Sequence, residues 1–292
     1  MRIVHFEHGG RQLFGSRTPE GLRTFQGPAS VSWDVLARAL ASREPLPVTG
    51  PVIPDGEARV LPPVPRPGKI VCIGLNYADH AREGGHPLPT YPAVFLRTAT
   101  SITGHGQPLV CPPVSQQFDY EAELALVVGR RAHRVRAGDA LSCVAGYTCF
   151  NDGSLRDYQR KSGQWTMGKN FDRSGALGPD LVTPDELPEG VGDLRITARL
   201  NGRTLQDGRT RDMIFSVPEL IEIVSEVMTL EPGDVIATGT PAGVGFARTP
   251  PVFMAPGDVC EIEIEGIGVL RNVVASEEAV APCQLKSKEA MQ

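Results

Sequence analysis

Two acidic residues, Glu121 and Glu123, interrupt an otherwise apolar segment, FDYEAELALVVG at 118–129. Side chains on a β-strand alternate between its two faces, so both carboxylates point to the same side, about 7 Å apart along the backbone. Unpaired, they would repel each other, and one would tend to keep its proton. A bound divalent cation removes this repulsion. The spacing therefore indicates either a metal site or a strip of solvent-facing acids.

A second segment shows the same alternation of acids. Glu261, Glu263 and Glu265 alternate with isoleucines in VCEIEIEG at 259–266, and no motif of catalytic type stands beside them. The alternation alone therefore does not identify a metal site. The motifs that accompany Glu121 and Glu123 have to decide between the two interpretations.

One accompanying motif is an imidazole with a nearby carboxylate. His80 and Glu83, in NYADHAREGG at 76–85, are three residues apart and face the same way on a helical turn. A carboxylate that holds the ring raises its basicity, as in a general base. The alternative is a histidine that caps or packs a surface turn. The other five histidines belong to no comparable motif, and we interpret them as structural or exposed.

Further polar residues follow in two later segments. In FNDGSLRDYQ at 150–159, Asp152 is predicted to end a strand and to cap a helix, from which Arg156 and Gln159 project on one face. In GKNFD at 168–172, Lys169 has glycine and aromatic neighbours. A compact ammonium of this kind can stabilise an oxyanion. The alternative is an exposed lysine in a loop.

The elements that position these residues are mostly strands. Segments that are β-branched or alternate in polarity, between Gly, Pro and Asp, predict strands at RIVHF, RQLFG, KIVCIGL, AVFLRT, EAELALVV, CVAGYTCF, RITARLNG, DVIATGT and VCEIEIEGIGVLRN. Helices are predicted at Ser32–Ser42, where Ser32 is the N-cap, at Gly153–Lys161, and at Val217–Leu230, where apolar residues recur at helical spacing.

A proline-rich stretch divides the chain. Eight of its 26 prolines lie between Pro45 and Gly68, which predicts a stiff, extended connector. We therefore expect a small N-terminal α+β domain at 1–65, including this linker, and a catalytic domain at 66–275. Residues 276–292 are predicted to form a disordered tail.

The composition is that of an ordinary globular protein. Of 292 residues, 41% are apolar and 22% charged, and the net charge of −5 gives no reason to expect nucleic acid or an anionic membrane as a partner. The six cysteines form no C-x-x-C pair and are interpreted as buried, reduced thiols. With no signal peptide or membrane span evident, a cytoplasmic location is predicted.

The order of the motifs resembles the fumarylacetoacetate hydrolase family. G-x-NYADH-x-x-E, FDYEAELALVVG, GYTCFNDGS-x-RD-x-Q, GKNFD and VIATGTPAGVG follow one another between Pro67 and Asn272. The resemblance implies an α+β, mostly β fold, a mixed β-sandwich roll preceded by the small N-terminal domain. It also implies a homodimer.

The resemblance implies roles for individual residues. Glu121, Glu123 and Asp152 match the ligands of Mg²⁺ or Mn²⁺, and their hard oxygen donors suit these ions. A carboxylate cluster neutralised by arginines is the alternative. His80 and Glu83 match an acid/base pair, and Lys169 matches a lysine that meets developing negative charge. Substrate contacts are implied for Arg156, Gln159, Thr240, Gly239 and Arg97.

Two departures from the family pattern bear on the substrate. Leu75 stands where many acylpyruvate-cleaving relatives carry arginine, which weakens the case for a simple acylpyruvate substrate. Arg97 stands where many members have lysine, so the charge is kept but not the geometry.

Three functions fit this set of residues. The prediction is a metal-dependent hydrolase in which water activated by His80 and Glu83 cleaves a C–C bond of a β-diketo acid. The first alternative keeps the metal-bound 2-oxo acid but decarboxylates, tautomerises or isomerises it, as an oxaloacetate decarboxylase or tautomerase or a hydroxymuconate isomerase would. The second alternative is a metal-binding module without activity.

Overall fold

The computed structural model describes residues 1–280, and strands predominate in it. The predicted class, α+β and mostly β with mixed sheets, is confirmed. The first ten strands are β1 (Arg2–His8), β2 (Arg11–Thr18), β3 (Gly21–Phe25), β4 (Val48–Ile53), β5 (Arg59–Val60), β6 (Ile70–Gly74), β7 (Ala93–Arg97), β8 (Ile102–Thr103), β9 (Leu109–Cys111) and β10 (Phe118–Asp119). The others are β11 (Ala122–Val128), β12 (Val144–Asn151), β13 (Ser154–Leu155), β14 (Gly175–Val182), β15 (Arg195–Leu200), β16 (Arg203–Arg209), β17 (Val235–Ala237), β18 (Val259–Ile264) and β19 (Gly268–Ser276).

The helices are short and lie between the strands. They are α1 (Trp33–Ser42), α2 (Ala78–Glu83), α3 (Ala137–Ala140), α4 (Arg156–Gln159), α5 (Thr166–Lys169), α6 (Val217–Val227) and α7 (Glu277–Val280). Ser32 caps α1 as predicted, since its side chain accepts a hydrogen bond from the backbone N–H of Val35. The helix α6 begins where predicted but ends three residues earlier.

The strands form two large sheets. In a 12-stranded sheet, ten strands follow the order β4-β3-β2-β1-β14-β12-β11-β17-β6-β7, while β5 pairs with β1 and β8 with β14. Its pairs are antiparallel except β6–β17 and β8–β14. A five-stranded sheet has the order β16-β15-β18-β19-β9, and β10 pairs with β13 alone. Both large sheets contribute to one buried apolar cluster, which contains Leu124 and Leu126 of β11 with Ile196 and Ile262.

The N-terminal strands extend the 12-stranded sheet. Strand β1 pairs with β14 through Arg2 and Val182 and through Ile3 and Leu181. The strands β1 to β4 therefore share backbone hydrogen bonds with the part of the chain that carries the site. A domain boundary near residue 65 stays a prediction.

Two predictions concern the chain beyond the sheets. Of the predicted tail, Ser276 ends β19 and Glu277–Val280 forms α7, whereas residues 281–292 lie outside the described part of the chain. Five cysteines are free thiols, four of them buried, and Cys283 lies outside the described residues. None of the helices in residues 1–280 combines the length and the apolar character needed to cross a membrane.

Candidate metal centre and active site

The pairing of β11 with β12 brings the three predicted metal ligands together. Ala122 lies opposite Asn151, and the next residue pair outward consists of Glu121 and Asp152, whose backbone N–H donates to the Glu121 carbonyl at 3.0 Å. Glu123 lies one pleat further along the same face. One carboxylate oxygen from each of the three lies within 4.8 Å of those from the other two.

Buried cations surround two of these carboxylates. Lys169 Nζ lies 2.6 Å from an oxygen of Glu121 and 2.6 Å from an oxygen of Asp152. Arg156 Nη2 lies 2.6 Å from the other oxygen of Glu121, and Arg97 Nη1 lies 2.5 Å from the other oxygen of Asp152. The cluster is therefore partly neutralised by protein cations.

The third carboxylate has no such partner. Glu123 is 2% exposed, forms no ion pair with any residue of 1–280, and accepts one hydrogen bond, from the Gly239 N–H at 3.0 Å. Burial, with Asp152 and Glu121 nearby, raises its pKa well above the ordinary value. Burial acts on Glu121 in the same direction, but Arg156 and Lys169 outweigh it and lower that pKa. Two carboxylates of one cluster are thus shifted in opposite directions.

The charge and chemistry of the cluster suit a hard divalent cation. Three buried cations, Arg97, Arg156 and Lys169, face four buried carboxylates, Asp119, Glu121, Glu123 and Asp152. The buried carboxylates outnumber the buried cations by one, which is costly without a counter-ion. The donors of the triad are all oxygens, as Mg²⁺ and Mn²⁺ prefer. Glu121, Glu123 and Asp152 therefore fit such an ion.

The predicted imidazole–carboxylate pair is formed. His80 and Glu83 lie on α2, and Nδ1 of His80 is 2.8 Å from Oε1 of Glu83. The backbone N–H of Gly243 donates to both carboxylate oxygens of Glu83, at 2.9 and 3.0 Å. These bonds fix the carboxylate and leave Nε2 as the ring nitrogen without a protein partner among the described hydrogen bonds.

The three carboxylates and His80 line one cavity of about 320 Å³. Its wall contains most of the predicted site residues, namely His80, Glu121, Glu123, Asp152, Arg156, Gln159, Lys169 and Thr240. It also contains Phe95, Arg160, Trp165 and Phe246, which were given no individual role from the sequence. His86, interpreted from the sequence as structural or exposed, is exposed and lines this cavity too.

Two predicted substrate contacts are corrected. Arg97 lies behind Asp152, with its side chain completely buried and bonded to Ser101 and Ser174 as well. It supports the carboxylate of Asp152 and does not line the cavity. Gly239 is not at the cavity wall either, because its N–H is directed at Glu123.

Thr240 has a partly structural position. It lines the cavity while its hydroxyl donates to the Ala122 carbonyl at 2.8 Å and accepts from Gln206.

Asp119 is a residue that the sequence reasoning missed. Its carboxylate accepts hydrogen bonds from Arg156 Nε at 2.8 Å and from the backbone N–H groups of Gly245 and Phe246 at 2.7 and 3.0 Å. Asp119 thus joins the glycine-rich turn to the arginine that holds Glu121. The signal was the full alternation D-x-E-x-E, since Asp119 precedes Glu121 by two residues.

The helix that follows Asp152 is shorter than predicted. Ser154 and Leu155 pair with Asp119 and Phe118 as β13, so the helix α4 begins only at Arg156 and Asp152 does not cap it. The predicted proximity of Arg156 and Gln159 is nevertheless present, because Arg156 Nη1 donates to Gln159 Oε1 at 2.9 Å.

A protein-family model matches the part of the chain that carries this site. Residues 69–275 match the model described as "Fumarylacetoacetate (FAA) hydrolase C-terminal". The chain belongs to this family. The predicted resemblance is thereby confirmed, and the match covers both strands and the helix α2 that carry the site.

Relatives named as oxaloacetate tautomerases are similar in sequence to this chain. A mitochondrial oxaloacetate tautomerase of Bos taurus is 46% identical over 251 residues, 85% of this chain and 77% of the relative. One from Homo sapiens is 44% identical over 265 residues, 89% of this chain and 82% of the relative.

Solved structures of the family share the fold. A 5-carboxymethyl-2-hydroxymuconate delta-isomerase from Mycobacterium smegmatis is 33% identical with a TM-score of 0.78, covering 95% of this chain and 100% of that chain. A fumarylacetoacetate hydrolase from Exiguobacterium antarcticum is 34% identical with a TM-score of 0.83, covering 94% and 99%.

Proposed function

We propose that the chain is a metal-dependent enzyme that moves a proton between carbon and oxygen in a 2-oxo acid, as in the keto–enol tautomerisation of oxaloacetate. The observation that carries the proposal is the His80–Glu83 pair beside three buried carboxylates in one small cavity. The relatives named as tautomerases and isomerases support this reaction class over the hydrolysis that we predicted from the sequence.

Glu121, Glu123 and Asp152 would hold the metal. A bound Mg²⁺ or Mn²⁺ supplies Lewis acidity, which makes the carbon next to a 2-oxo group more acidic. The three carboxylates set the position of the ion, and Arg156 and Arg97 hold two of these carboxylates in place from behind.

His80 would carry the proton. Since Nδ1 is held by Glu83, Nε2 is the nitrogen that takes a proton from the carbon next to the oxo group and returns it to oxygen, or the reverse. The carboxylate of Glu83 would stabilise the imidazolium that forms between the two transfers. Both bonds from Gly243 keep that carboxylate oriented.

Lys169 would stabilise the negative charge that develops on the substrate oxygen. Burial would lower its pKa, but Asp152 and Glu121 outweigh burial and raise it, so the side chain stays an ammonium. A cation that the protein already holds in place is more effective than one in solution, because it does not have to reorganise as the charge develops.

Proton transfer needs fewer groups than hydrolysis. One group that accepts and returns a proton is sufficient for tautomerisation, whereas hydrolysis also needs a positioned water and a leaving carbon. The cavity offers one imidazole–carboxylate pair for this purpose.

The test is the rate at which enolic oxaloacetate is converted to the keto form, followed by the loss of enol absorbance. The proposal expects catalysis that depends on Mg²⁺ or Mn²⁺ and is abolished by EDTA. A parallel reaction with an acylpyruvate in ¹⁸O-labelled water serves as the control. Label in a new carboxylate, without acceleration of oxaloacetate tautomerisation, would establish hydrolysis instead.

A further inference from the structure

The cations at the cavity differ in how many of their hydrogen bonds are already made within the protein. Lys169 Nζ donates hydrogen bonds to Glu121 and Asp152. Arg156 donates from Nε to Asp119, from Nη2 to Glu121 and from Nη1 to Gln159. Most donors of these two side chains are therefore committed to the protein, since Lys169 Nζ also lies 3.4 Å from the Asp152 carbonyl and Arg156 uses three of its five N–H donors.

Arg160 is different. It lines the same cavity, and its guanidinium has neither a hydrogen bond nor a carboxylate within 4.0 Å among residues 1–280. It is exposed, one turn after Arg156, at the solvent side of the cavity wall. Its five donors are therefore available to a ligand.

An aromatic ring holds this guanidinium in place. The Arg160 Cζ lies 4.6 Å from the centre of the Phe246 ring, and Arg156 contacts the same ring at 4.6 Å. Phe246 is anchored in turn, since its backbone N–H donates to the buried Asp119. Stacking restricts the orientation of an arginine while leaving its edge free to bind a carboxylate.

The balance of charge between the site and its substrate indicates a role for Arg160. With the Glu83 carboxylate beside the buried cluster, five carboxylates face the three buried cations Arg97, Arg156 and Lys169, so a divalent cation would bring the site to neutrality. Leu75, also at the wall, brings no charge. A second carboxylate on the substrate therefore requires a cation outside the cluster, and Arg160 is an unpaired one.

We infer that Arg160, stacked on Phe246, binds the distal carboxylate of the substrate and thereby selects dicarboxylic over monocarboxylic 2-oxo acids. The inference rests on the proposed function for the identity of the first carboxylate. It adds a specificity-determining residue outside the metal ligands and the His80–Glu83 pair.

Inert ligands test the inference without any reaction. Malate and 2-hydroxybutyrate share a four-carbon chain and differ in the distal group, a carboxylate or a methyl. 2-Hydroxyglutarate and 2-hydroxypentanoate form a second pair, with five carbons and the same difference in the distal group. Affinities are measured by calorimetry with saturating Mg²⁺ for the wild type, Arg160→Ala and Arg160→Lys.

Lys161→Ala is the matched control variant. Lys161 is the adjacent exposed cation, but its ammonium lies over the Tyr158 ring at 3.3 Å and does not line the cavity. His86→Gln tests the other side chain at the wall that could donate a hydrogen bond to a distal carboxylate.

We expect the wild type to bind at least one diacid about tenfold or more tightly than its monoacid partner, as charge-assisted hydrogen bonds typically produce. Arg160→Ala should reduce this ratio to near one by weakening the diacid alone, Arg160→Lys should reduce it less, and Lys161→Ala should leave it unchanged.

Three results would overturn the inference. They are equal affinities within both pairs for the wild type, an unchanged ratio in Arg160→Ala, and loss of the ratio in His86→Gln instead. If the wild type fails to tautomerise oxaloacetate but its preference for diacids depends on Arg160, the proposed function is wrong and the carboxylate subsite is supported.

Discussion

Nδ1 of His80 lies 2.8 Å from Oε1 of Glu83, whose carboxylate also accepts the backbone N–H of Gly243. The helix α2 and the glycine-rich turn are thus joined at one carboxylate. This connection makes Glu83 a positioning group for the ring, and it makes the free nitrogen of His80 the candidate for proton transfer.

His80→Gln should lower kcat for oxaloacetate tautomerisation by about 10²–10⁴-fold, because a general acid–base group of this kind contributes that much. Binding of Mg²⁺ should be unchanged, since His80 is not among the three carboxylate ligands. Stopped-flow absorbance and metal titration measure the two quantities. His86→Gln, at the exposed wall of the same cavity, is the control and should retain most of the activity.

Glu123→Gln should abolish the rise in Tm that Mg²⁺ causes, because a ligand that binds only the folded state stabilises it and the variant lacks one of three charged donors. In EDTA the same variant should melt at least as high as the wild type, because glutamine is uncharged and burial with Asp152 and Glu121 nearby disfavours the carboxylate form of Glu123. Differential scanning calorimetry with and without Mg²⁺ checks both parts.

Glu263→Gln is the matched control for that experiment. Glu263 belongs to the other alternating strip of acids, on β18, where it is half-exposed and pairs with Arg199 at 2.5 Å. Its replacement should leave the magnesium-dependent shift intact. A shift lost equally in both variants would contradict a specific site at Glu123.

Lys169→Met should destabilise the protein by about 3–5 kcal/mol in EDTA, because two buried carboxylates lose their shared cation. Mg²⁺ should recover part of this loss, since the metal contacts the same carboxylates. Urea unfolding with and without Mg²⁺ measures the difference. Lys69→Met, which breaks the ion pair with buried Asp234 away from the site, should be equally destabilised in both conditions.

Strand alternation predicted that Glu121 and Glu123 share a face, and the resemblance to the family implied Asp152 as the third ligand. The side chains of Glu121 and Glu123 share a face by pleat geometry, and the register of β11 with β12 then places Asp152 beside them. The direction of Arg97 was not predictable in the same way. A charged residue at a strand end can point into a cavity or lie behind a carboxylate such as that of Asp152. Only the packing around Ser101 and Ser174 decides between these two positions for Arg97.

The strand β14 shows a second limit of sequence reasoning. Its sequence, GALGPDLV, contains a glycine–proline pair that is typical of turns, so no strand was predicted there. All eight of its residues are buried, and it lies between β1 and β12 in the large sheet. Asp119 was missed for a different reason, because only the two later acids of D-x-E-x-E were considered.

The contribution of His5 to the free energy of unfolding should fall as the pH decreases from about 7.5 to 5.5. Burial lowers the pKa of His5 below its ordinary value of 6.5, and the hydrogen bond to the Pro62 carbonyl opposes this only in part. The unfolded chain therefore binds a proton that the folded protein does not, and stability present above pH 6.5 is lost toward the folded pKa.

His5→Gln should make the unfolding free energy less dependent on pH over this range, and denaturant unfolding at pH 7.5 and 5.5 measures the change. His105 is shifted in the same direction by burial and Arg17, so some dependence should remain. His8→Gln, at the half-buried end of the same strand, is the control. An identical pH dependence in the wild type and His5→Gln would show that His5 does not contribute.

Exchange of the C3 hydrogens of oxaloacetate with solvent deuterium, followed by NMR, tests the central claim most directly. We predict that the wild type with Mg²⁺ accelerates exchange far above the uncatalysed rate, and that EDTA, Glu123→Gln and His80→Gln each suppress it without unfolding the protein. Exchange at the uncatalysed rate in the magnesium-loaded wild type, or acceleration that survives both EDTA and Glu123→Gln, would contradict metal-assisted proton transfer at this site.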